Sequence, residues 1–231
     1  MNNTVIFCDF DGTITKNDTI DELLNIHANK NWLKIEESWK KGEIGSKECL
    51  TKQLECIDYI SENQLDNFIE NIEIDDYFIN FIEILNKKKT KLYIVSDGFD
   101  LFIENVLEKY GLNHFIKVFS NKLIYKNGKL IPEFPLHNTD CKKKAGLCKC
   151  EVIKKLKKEN RILYIGDGAS DICASRLANL LFAKDSLAKY CDKNNINHIK
   201  FKTFKNICEY LYINLEEETD VKNKILIRQR Y

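Results

Sequence analysis

Residues 4–8 (Thr-Val-Ile-Phe-Cys) form a short apolar run of β-favouring residues that breaks at once into Asp9-Phe10-Asp11-Gly12. That pattern predicts a buried strand ending in a polar turn. From 19 to 85 the period changes. Leu23, Leu24, Ile26 and His27, then Leu33, Ile35 and Trp39, recur at near-helical spacing. So do Cys49, Leu50, Gln53 and Leu54, and Leu65, Phe68, Ile69 and Ile72. Asp18 or Thr19 is placed to cap the first of these helices. With strand signals absent, the stretch reads as a block of several short helices.

Alternating character then resumes. Leu92-Tyr93-Ile94-Val95 predicts a buried strand ending at Ser96-Asp97-Gly98, followed by a helix from about 99 to 110 that stops at Gly111. Residues 117–131 predict a strand and hairpin turning at Asn127-Gly128. A helix with a basic outer face follows over 149–158, and Ile162-Leu163-Tyr164-Ile165 is a third buried strand ending at Gly166-Asp167-Gly168. Asp171 and Ile172 open another helix. Residues 181–183 and 198–201 are short strands, and 204–217 is a closing helix. Strands alternating with helices predict an α/β fold with a mainly parallel sheet covered on both faces.

The length of 231 residues suits one large α/β domain or a core with a small insert. Hydrophobic residues at 44 % and charged residues at 31 % are the mix of a globular protein, not of a disordered tail. Lys+Arg 36 against Asp+Glu 35 gives no global field for nucleic acid or membrane lipid. The lysine-rich patches at 142–144 and 154–158 lack interleaved aromatics, so nucleic acid is not expected as a partner. No apolar run approaches the roughly 18 residues that span a bilayer, so no membrane association is expected. The short run at 5–8 lacks a basic leader, and the nine cysteines are odd in number and scattered. Reduced thiols in the cytoplasm are the expectation.

Three of the predicted strands end alike, in an acidic or hydroxyl residue beside glycine: Asp9 and Asp11, Ser96, and Asp167. Ligands in open α/β sheets sit beyond the carboxyl ends of the strands, so these motifs should converge on one rim. Carboxylates gathered there repel one another unless a cation is shared, and such short oxygen ligands suit Mg²⁺.

The string Asp9-Phe10-Asp11-Gly12-Thr13-Ile14-Thr15 resembles the first signature of the haloacid dehalogenase superfamily of phosphohydrolases. Ser96 matches the second signature, Lys149 the third, and Gly166-Asp167-Gly168-Ala169-Ser170-Asp171 the fourth. The four in register cover nearly the whole chain. The resemblance implies a Rossmann-like core and a phosphatase in which Asp9 attacks phosphorus to form an aspartyl-phosphate. It implies Asp11 as general acid and base, and Mg²⁺ held by Asp9, the Asp11 carbonyl and Asp167. Ser96 would bond a phosphoryl oxygen, Lys149 would offset negative charge, and Asp171 would orient metal-bound water or Lys149. The plainer reading of Asp171 is a helix cap. Lys149 stands among Lys142, Lys143, Lys144, Lys154 and Lys155. It is singled out because Val152, Ile153 and Leu156 follow it at helical spacing.

The helical block resembles the superfamily's cap inserted after the first strand, which implies a cap over 16–78 and a core over 1–15 and 79–231. This is the subgroup of phosphoserine phosphatase and of the methionine-salvage phosphatase that acts on 2-hydroxy-3-keto-5-methylthiopentenyl-1-phosphate. Matching strings are Asp18-Thr19-Ile20-Asp21-Glu22, Gly42-Glu43-Ile44, Ser96-Asp97-Gly98-Phe99-Asp100 and 121–130, and they imply substrate contacts at Asp18, Asp97 and Gly98. Two departures argue against phosphoserine. The glutamate that holds the substrate amine is Asp18 here, and no arginine occurs between 16 and 90 to grip a carboxylate. The Cys-rich stretch Cys141–Cys150 resembles the methionine-salvage enzyme, and also phosphoethanolamine/phosphocholine phosphatases. His137, Cys141, Cys148 and Cys150 are candidate structural zinc ligands, though not at the spacing of a standard finger. A phosphotransferase and a non-catalytic phospho-metabolite binding module remain rival readings.

Overall fold

A computed structural model describes residues 4–114 and 116–213. The central strand β1 (Thr4–Cys8) lies between β2 (Lys91–Phe99) and β5 (Arg161–Gly166). Outside them come β3 (Lys117–Lys126) and β4 (Lys129–Glu133) on one side, and β6 (Leu180–Ala183) and β7 (Ile199–Lys200) on the other. The sheet order is β4-β3-β2-β1-β5-β6-β7, and every pairing is parallel except β3 with β4. Val5 to Cys8 are all buried, as expected of a strand covered on both faces. Ile6 and Cys8 belong to one apolar layer, and Val5 and Phe7 to the other.

Register explains why the polar motifs meet. Cys8 lies opposite Ile94 on one side and Ile165 on the other. The next residues of all three strands therefore emerge at one level of the rim.

Helices α1 (Thr19–His27), α2 (Trp32–Lys40), α3 (Ser46–Glu55) and α4 (Glu62–Glu70) follow β1, and α5 (Phe78–Lys87) leads into β2. Asp18 caps α1, its carboxylate accepting from Ile20 N at 2.9 Å and Asp21 N at 3.0 Å. Ser61 and Gln64 form a capping box on α4. The α5 face presents Phe78 and Phe81 to Phe204, with ring centroids 5.0 and 5.1 Å apart. On the other face of the sheet, α7 (Lys149–Leu156) buries Val152 and Ile153, and α9 (Asp185–Lys193) buries Leu187 and Cys191.

Several boundaries differ from those predicted. Strand β2 does not end at Val95 but continues through Ser96-Asp97-Gly98 to Phe99, with a register shift against β3 between Val95 and Phe99. Phe99 still pairs with Asn121, so the partner strand carries the extension. Helix α6 accordingly starts at Asp100 and runs to Lys109. Asp171 ends a 3-10 turn (Ala169–Asp171), and the helix after it, α8 (Ile172–Ser175), is a single turn. Helix α7 stops at Leu156, and Lys158 turns to φ 47°. The hairpin turns where expected, with Asn127 at φ 51° and Gly128 at φ 75°, both left-handed as a type I′ turn requires. The closing helix, α10, covers 204–213, and the rest of its predicted span lies outside the described residues. Among the described residues no helix is long and apolar enough to cross a membrane.

Candidate active site

Asp9 is the first residue beyond β1, and its backbone N–H extends the pairing with β5 by donating to Ile165 O at 2.9 Å. Its carboxylate accepts from Phe10 N at 2.8 Å and faces Lys149 Nζ at 2.6 Å. Lys149 is the first residue of α7 and is 3 % exposed, whereas Lys154 and Lys155 point to solvent. Its ammonium also reaches Asp171 Oδ1 at 2.7 Å. Asp171 is fully buried and accepts four bonds. Asp167 N and Gly168 N, each at 3.0 Å, bind Oδ2, while Tyr164 OH at 2.5 Å and Lys149 bind Oδ1.

The turn after β1 brings the chain against Asp167. Gly12 has φ 67°, and a Cβ there would stand 2.9 Å from Asp167 Oδ2, so glycine is required on both counts. Thr13 Oγ1 donates to Asp167 Oδ1 at 2.6 Å. Asp11 receives the Thr19 hydroxyl and, at 3.3 Å, Thr19 N on one oxygen, and Ser96 Oγ at 3.1 Å on the other. Ser96 is fully buried and accepts from Gly98 N at 2.9 Å. A Cβ on Gly98 would collide with Asp11 Oδ2.

Crowding sets the electrostatics. Burial, then repulsion from Asp171, pushes the Asp9 carboxyl well above the usual range in spite of Lys149. Burial likewise raises Asp11. Asp167 is pushed up to about 6 by burial and by Asp171. Asp171 is the exception: burial opposes its charge, but Lys149 and Tyr164 hold it below the ordinary value. Lys149 is raised although buried, because Asp171 and Asp9 favour its charge. Asp9, Asp167 and Asp171 each bring one oxygen within 4.8 Å of the others. Lys149 pairs with Asp9 and Asp171 but not with Asp167, and all the donors of the trio are hard oxygens, which fits a divalent cation. The oxygens of Asp171 are engaged by four hydrogen bonds, so Asp9 and Asp167 are the members placed to take one.

A cavity opens over this group. Asp9, Asp11, Ser96, Gly98 and Asp167 form its floor, and Asp18, Asp21, Glu36, Trp39, Cys49 and Gln53 contribute to the walls from the helical side. No lysine or arginine among the described residues lines it. Gln53 Nε2 donates to Glu36 Oε2 at 2.9 Å, and the exposed Lys40 reaches Glu36 Oε1 at 3.1 Å. Asp21 has no ion pair among the described residues, and burial and the Glu36 charge raise its carboxyl. Asp18 has exposed surface but stands in the crowded mouth of the cleft, where burial of its carboxyl, then Asp11 and Asp21, raise it well above normal.

Asp97 lines the cavity, but its oxygens are engaged elsewhere. It accepts from the Ser46 hydroxyl on one oxygen, and from Leu147 N at 2.7 Å and Asn121 Nδ2 at 3.1 Å on the other. The candidate zinc ligands His137, Cys141, Cys148 and Cys150 are not brought together as a set among the described residues. His137 Nδ1 lies 2.8 Å from Ala145 O and Cys148 Sγ lies 3.4 Å from Cys150 Sγ. Among the described residues only the three aspartates bring ligand atoms together. Sequence reasoning gave no site role to Thr13, Thr19, Tyr164, Ser46 or Asn121. Thr13 lies inside the first signature, Thr19 inside the string 18–22 and Asn121 at the head of the string 121–130, and those were the available signals.

A protein-family profile described as "Putative Phosphatase" matches residues 4–189. The 2-hydroxy-3-keto-5-methylthiopentenyl-1-phosphate phosphatase of Bacillus velezensis is 30 % identical over 206 residues, 88 % of this chain and 87 % of that one. The enzyme of the same name from Bacillus pumilus is 31 % identical over 208 residues, 88 % and 89 % of the two chains. Among solved structures, a phospho-aspartyl intermediate analogue of phosphoserine phosphatase superposes with TM-score 0.69 at 25 % identity, covering 89 % of this chain and 97 % of that one. A substrate-bound phosphoserine phosphatase gives TM-score 0.69 at 26 % identity with the same coverage. With the sheet, the helical insert after β1 and the signatures in register, the chain belongs to the haloacid dehalogenase superfamily of phosphatases, in its phosphoserine phosphatase-like branch.

Proposed function

We propose that the protein hydrolyses a small phosphomonoester through an aspartyl-phosphate on Asp9, with Mg²⁺ as cofactor. The observation that carries this reading is the buried Asp9–Lys149 pair at 2.6 Å on the carboxyl end of the central strand, with Asp11 beside it. An Asp9 oxygen attacks phosphorus, and the bond from phosphorus to the ester oxygen breaks. Asp11, whose carboxyl is raised by burial, gives its proton to the leaving alkoxide. It then takes a proton from the water that cleaves the acyl phosphate, releasing inorganic phosphate and restoring Asp9. Lys149 offsets the charge of Asp9 and the phosphoryl group, and Ser96 turns its hydroxyl from Asp11 to a phosphoryl oxygen. Asp9, the Asp11 carbonyl and Asp167 would hold Mg²⁺, which would supply positive charge to offset that of the phosphoryl oxygens. In this reading 16–78 form the cap, and 1–15 with 79–231 the core.

The sequence relatives support 2-hydroxy-3-keto-5-methylthiopentenyl-1-phosphate as substrate. A second reading, a phosphorylated amino-alcohol, is favoured by one observation. The cavity wall offers Asp18, Asp21, Glu36 and Trp39 with no lysine or arginine among the described residues lining it, and an ammonium suits those groups. A Mg²⁺-dependent screen of small phosphomonoesters separates the two. Asp9→Asn tests the chemistry, with turnover expected to fall by several orders of magnitude and the fold retained. Single turnover in ¹⁸O-water should label the Asp9 side chain of the native enzyme. Turnover by Asp9→Asn with no label in the native enzyme would exclude the covalent route.

A further inference from the structure

Tyr164 is fully buried on β5, directly opposite Phe7 of β1, and its ring belongs to the apolar layer with Phe7, Val152 and Ile153. Asp9 follows Phe7 by two positions and so shares its face of the sheet. The ring thus rises from the core toward the underside of the active site. Its hydroxyl leaves the apolar layer for one partner, Asp171 Oδ1, at 2.5 Å. The same oxygen accepts Lys149 Nζ at 2.7 Å, and the same Nζ lies 2.6 Å from Asp9. Tyr164, Asp171, Lys149 and Asp9 form an unbroken chain from the hydrophobic core to the proposed nucleophile.

We propose that Tyr164 is a positioning residue for the phosphatase reaction, holding Lys149 against Asp9 through Asp171. The proposal rests on the roles given above to Asp9 and Lys149.

Two features make the hydroxyl more than a buried group with a partner. Asp171 Oδ2 is pinned by the backbone N–H groups of Asp167 and Gly168, so the remaining freedom of the carboxylate is rotation that swings Oδ1. Tyr164 and Lys149 together fix that oxygen. Lys149 is also shared between two carboxylates at nearly equal distances. A second donor on Oδ1 satisfies part of the Asp171 charge and leaves the ammonium balanced between Asp171 and Asp9. Without the hydroxyl, Asp171 keeps one donor on that oxygen and draws the ammonium toward itself, away from Asp9. The site is closed to solvent on this side, Tyr164 and Asp171 both being 0 % exposed, so bulk water does not replace the hydroxyl directly.

Tyr164→Phe removes one oxygen and keeps the ring. With p-nitrophenyl phosphate and saturating Mg²⁺, kcat should fall on the order of 10-fold, as for loss of an outer-shell partner. KM should stay within about 2-fold, because Tyr164 does not line the cavity. The kcat is taken per folded molecule, well below the melting temperature. If phenylalanine lowers that temperature, Tyr164→Met repeats the test with an unbranched apolar side chain that adapts to the core and carries no hydroxyl. A merely structural role predicts wild-type kcat per folded molecule in both variants, and that result overturns the proposal. A kcat loss matched by an equal rise in KM also overturns it. Asp9→Asn run alongside separates the two levels. Turnover by Asp9→Asn means the reading of the site has failed. An inert Asp9→Asn with a fully active Tyr164→Phe means that only the role of Tyr164 has failed.

Discussion

The Ser46 hydroxyl donates to the Asp97 carboxylate, joining the first residue of α3 to the extension of β2. The same hydroxyl oxygen accepts from Gly146 N at 3.1 Å, and Asp97 accepts from Leu147 N at 2.7 Å. Lys47 N donates to Lys144 O at 3.4 Å, and a Cβ on Gly45 would overlap that carbonyl. One seam thus binds the helical insert, the 144–147 loop and the strand that carries Ser96.

Ser46→Ala should therefore cost stability. The half-buried Asp97 keeps Leu147 and Asn121 but loses its third donor, while the buried Gly146 N loses its acceptor. Removing a partner from a buried polar group costs about 1–3 kcal/mol. Chemical denaturation should show that loss with an unchanged m-value. Because Ser46 also lines the cavity, KM should rise. A variant as stable as the native chain would refute the seam.

Chelation should silence turnover and Mg²⁺ should restore it. The motive is the trio Asp9, Asp167 and Asp171, whose oxygens lie within 4.8 Å of one another, with Lys149 paired to Asp9 and Asp171 alone. Ca²⁺ prefers more ligands at longer distances, so it should draw a second Asp9 oxygen onto the metal and inhibit attack. Full turnover in excess EDTA would contradict the prediction.

Much of this site was legible because its acidic members sit where apolar strands end. Asp9 and Asp167 follow runs too hydrophobic to be anything but buried strands, and parallel pairing brings such ends together. Lys149 was separable from its neighbours by the apolar period of α7, taken with the match to the third signature. Ser46 and Tyr164 were not legible, since each meets its site partner through one polar atom with no periodic trace. Ser46 meets Asp97 at 51 positions' separation, and Tyr164 shows in sequence only as one more apolar strand residue. The extension of β2 was hidden because Ser96-Asp97-Gly98 looks like a turn. Pairing of Phe99 with Asn121 overrides that local preference.

Cys49 should resist alkylation at pH 8. It is 3 % exposed, and burial together with the nearby Glu36 charge pushes its thiol up to about 12. The thiolate is the reactive form, so its fraction at pH 8 is on the order of 1 in 10,000, against roughly a quarter for an ordinary cysteine. Reactivity should rise about tenfold per pH unit up to that value, provided the fold persists. Mass spectrometry after iodoacetamide treatment should find Cys49 unmodified in the native chain and modified in the unfolded one, with the exposed Cys173 modified in both. Rapid labelling of native Cys49 at pH 8 would show that the cavity wall is open.

The last prediction concerns what the cavity rejects. Its walls carry Asp18, Asp21 and Glu36, and no lysine or arginine among the described residues faces it. Lys52 of α3 forms an exposed pair with Glu48 at 2.6 Å. A free carboxylate on the substrate would meet these acids with no guanidinium to receive it, and an unmatched buried charge costs several kcal/mol. A neutral phosphomonoester, or one bearing an ammonium, avoids that cost, and Trp39 among the lining residues is a side chain that suits an ammonium. Either should be hydrolysed with kcat/KM at least ~10-fold above phosphoserine, about 1.4 kcal/mol of transition-state discrimination. Glu36→Gln removes one of the repelling charges and should narrow the gap. Side-by-side kinetics decide the matter, and phosphoserine emerging as the best substrate would sink the argument from the missing cation.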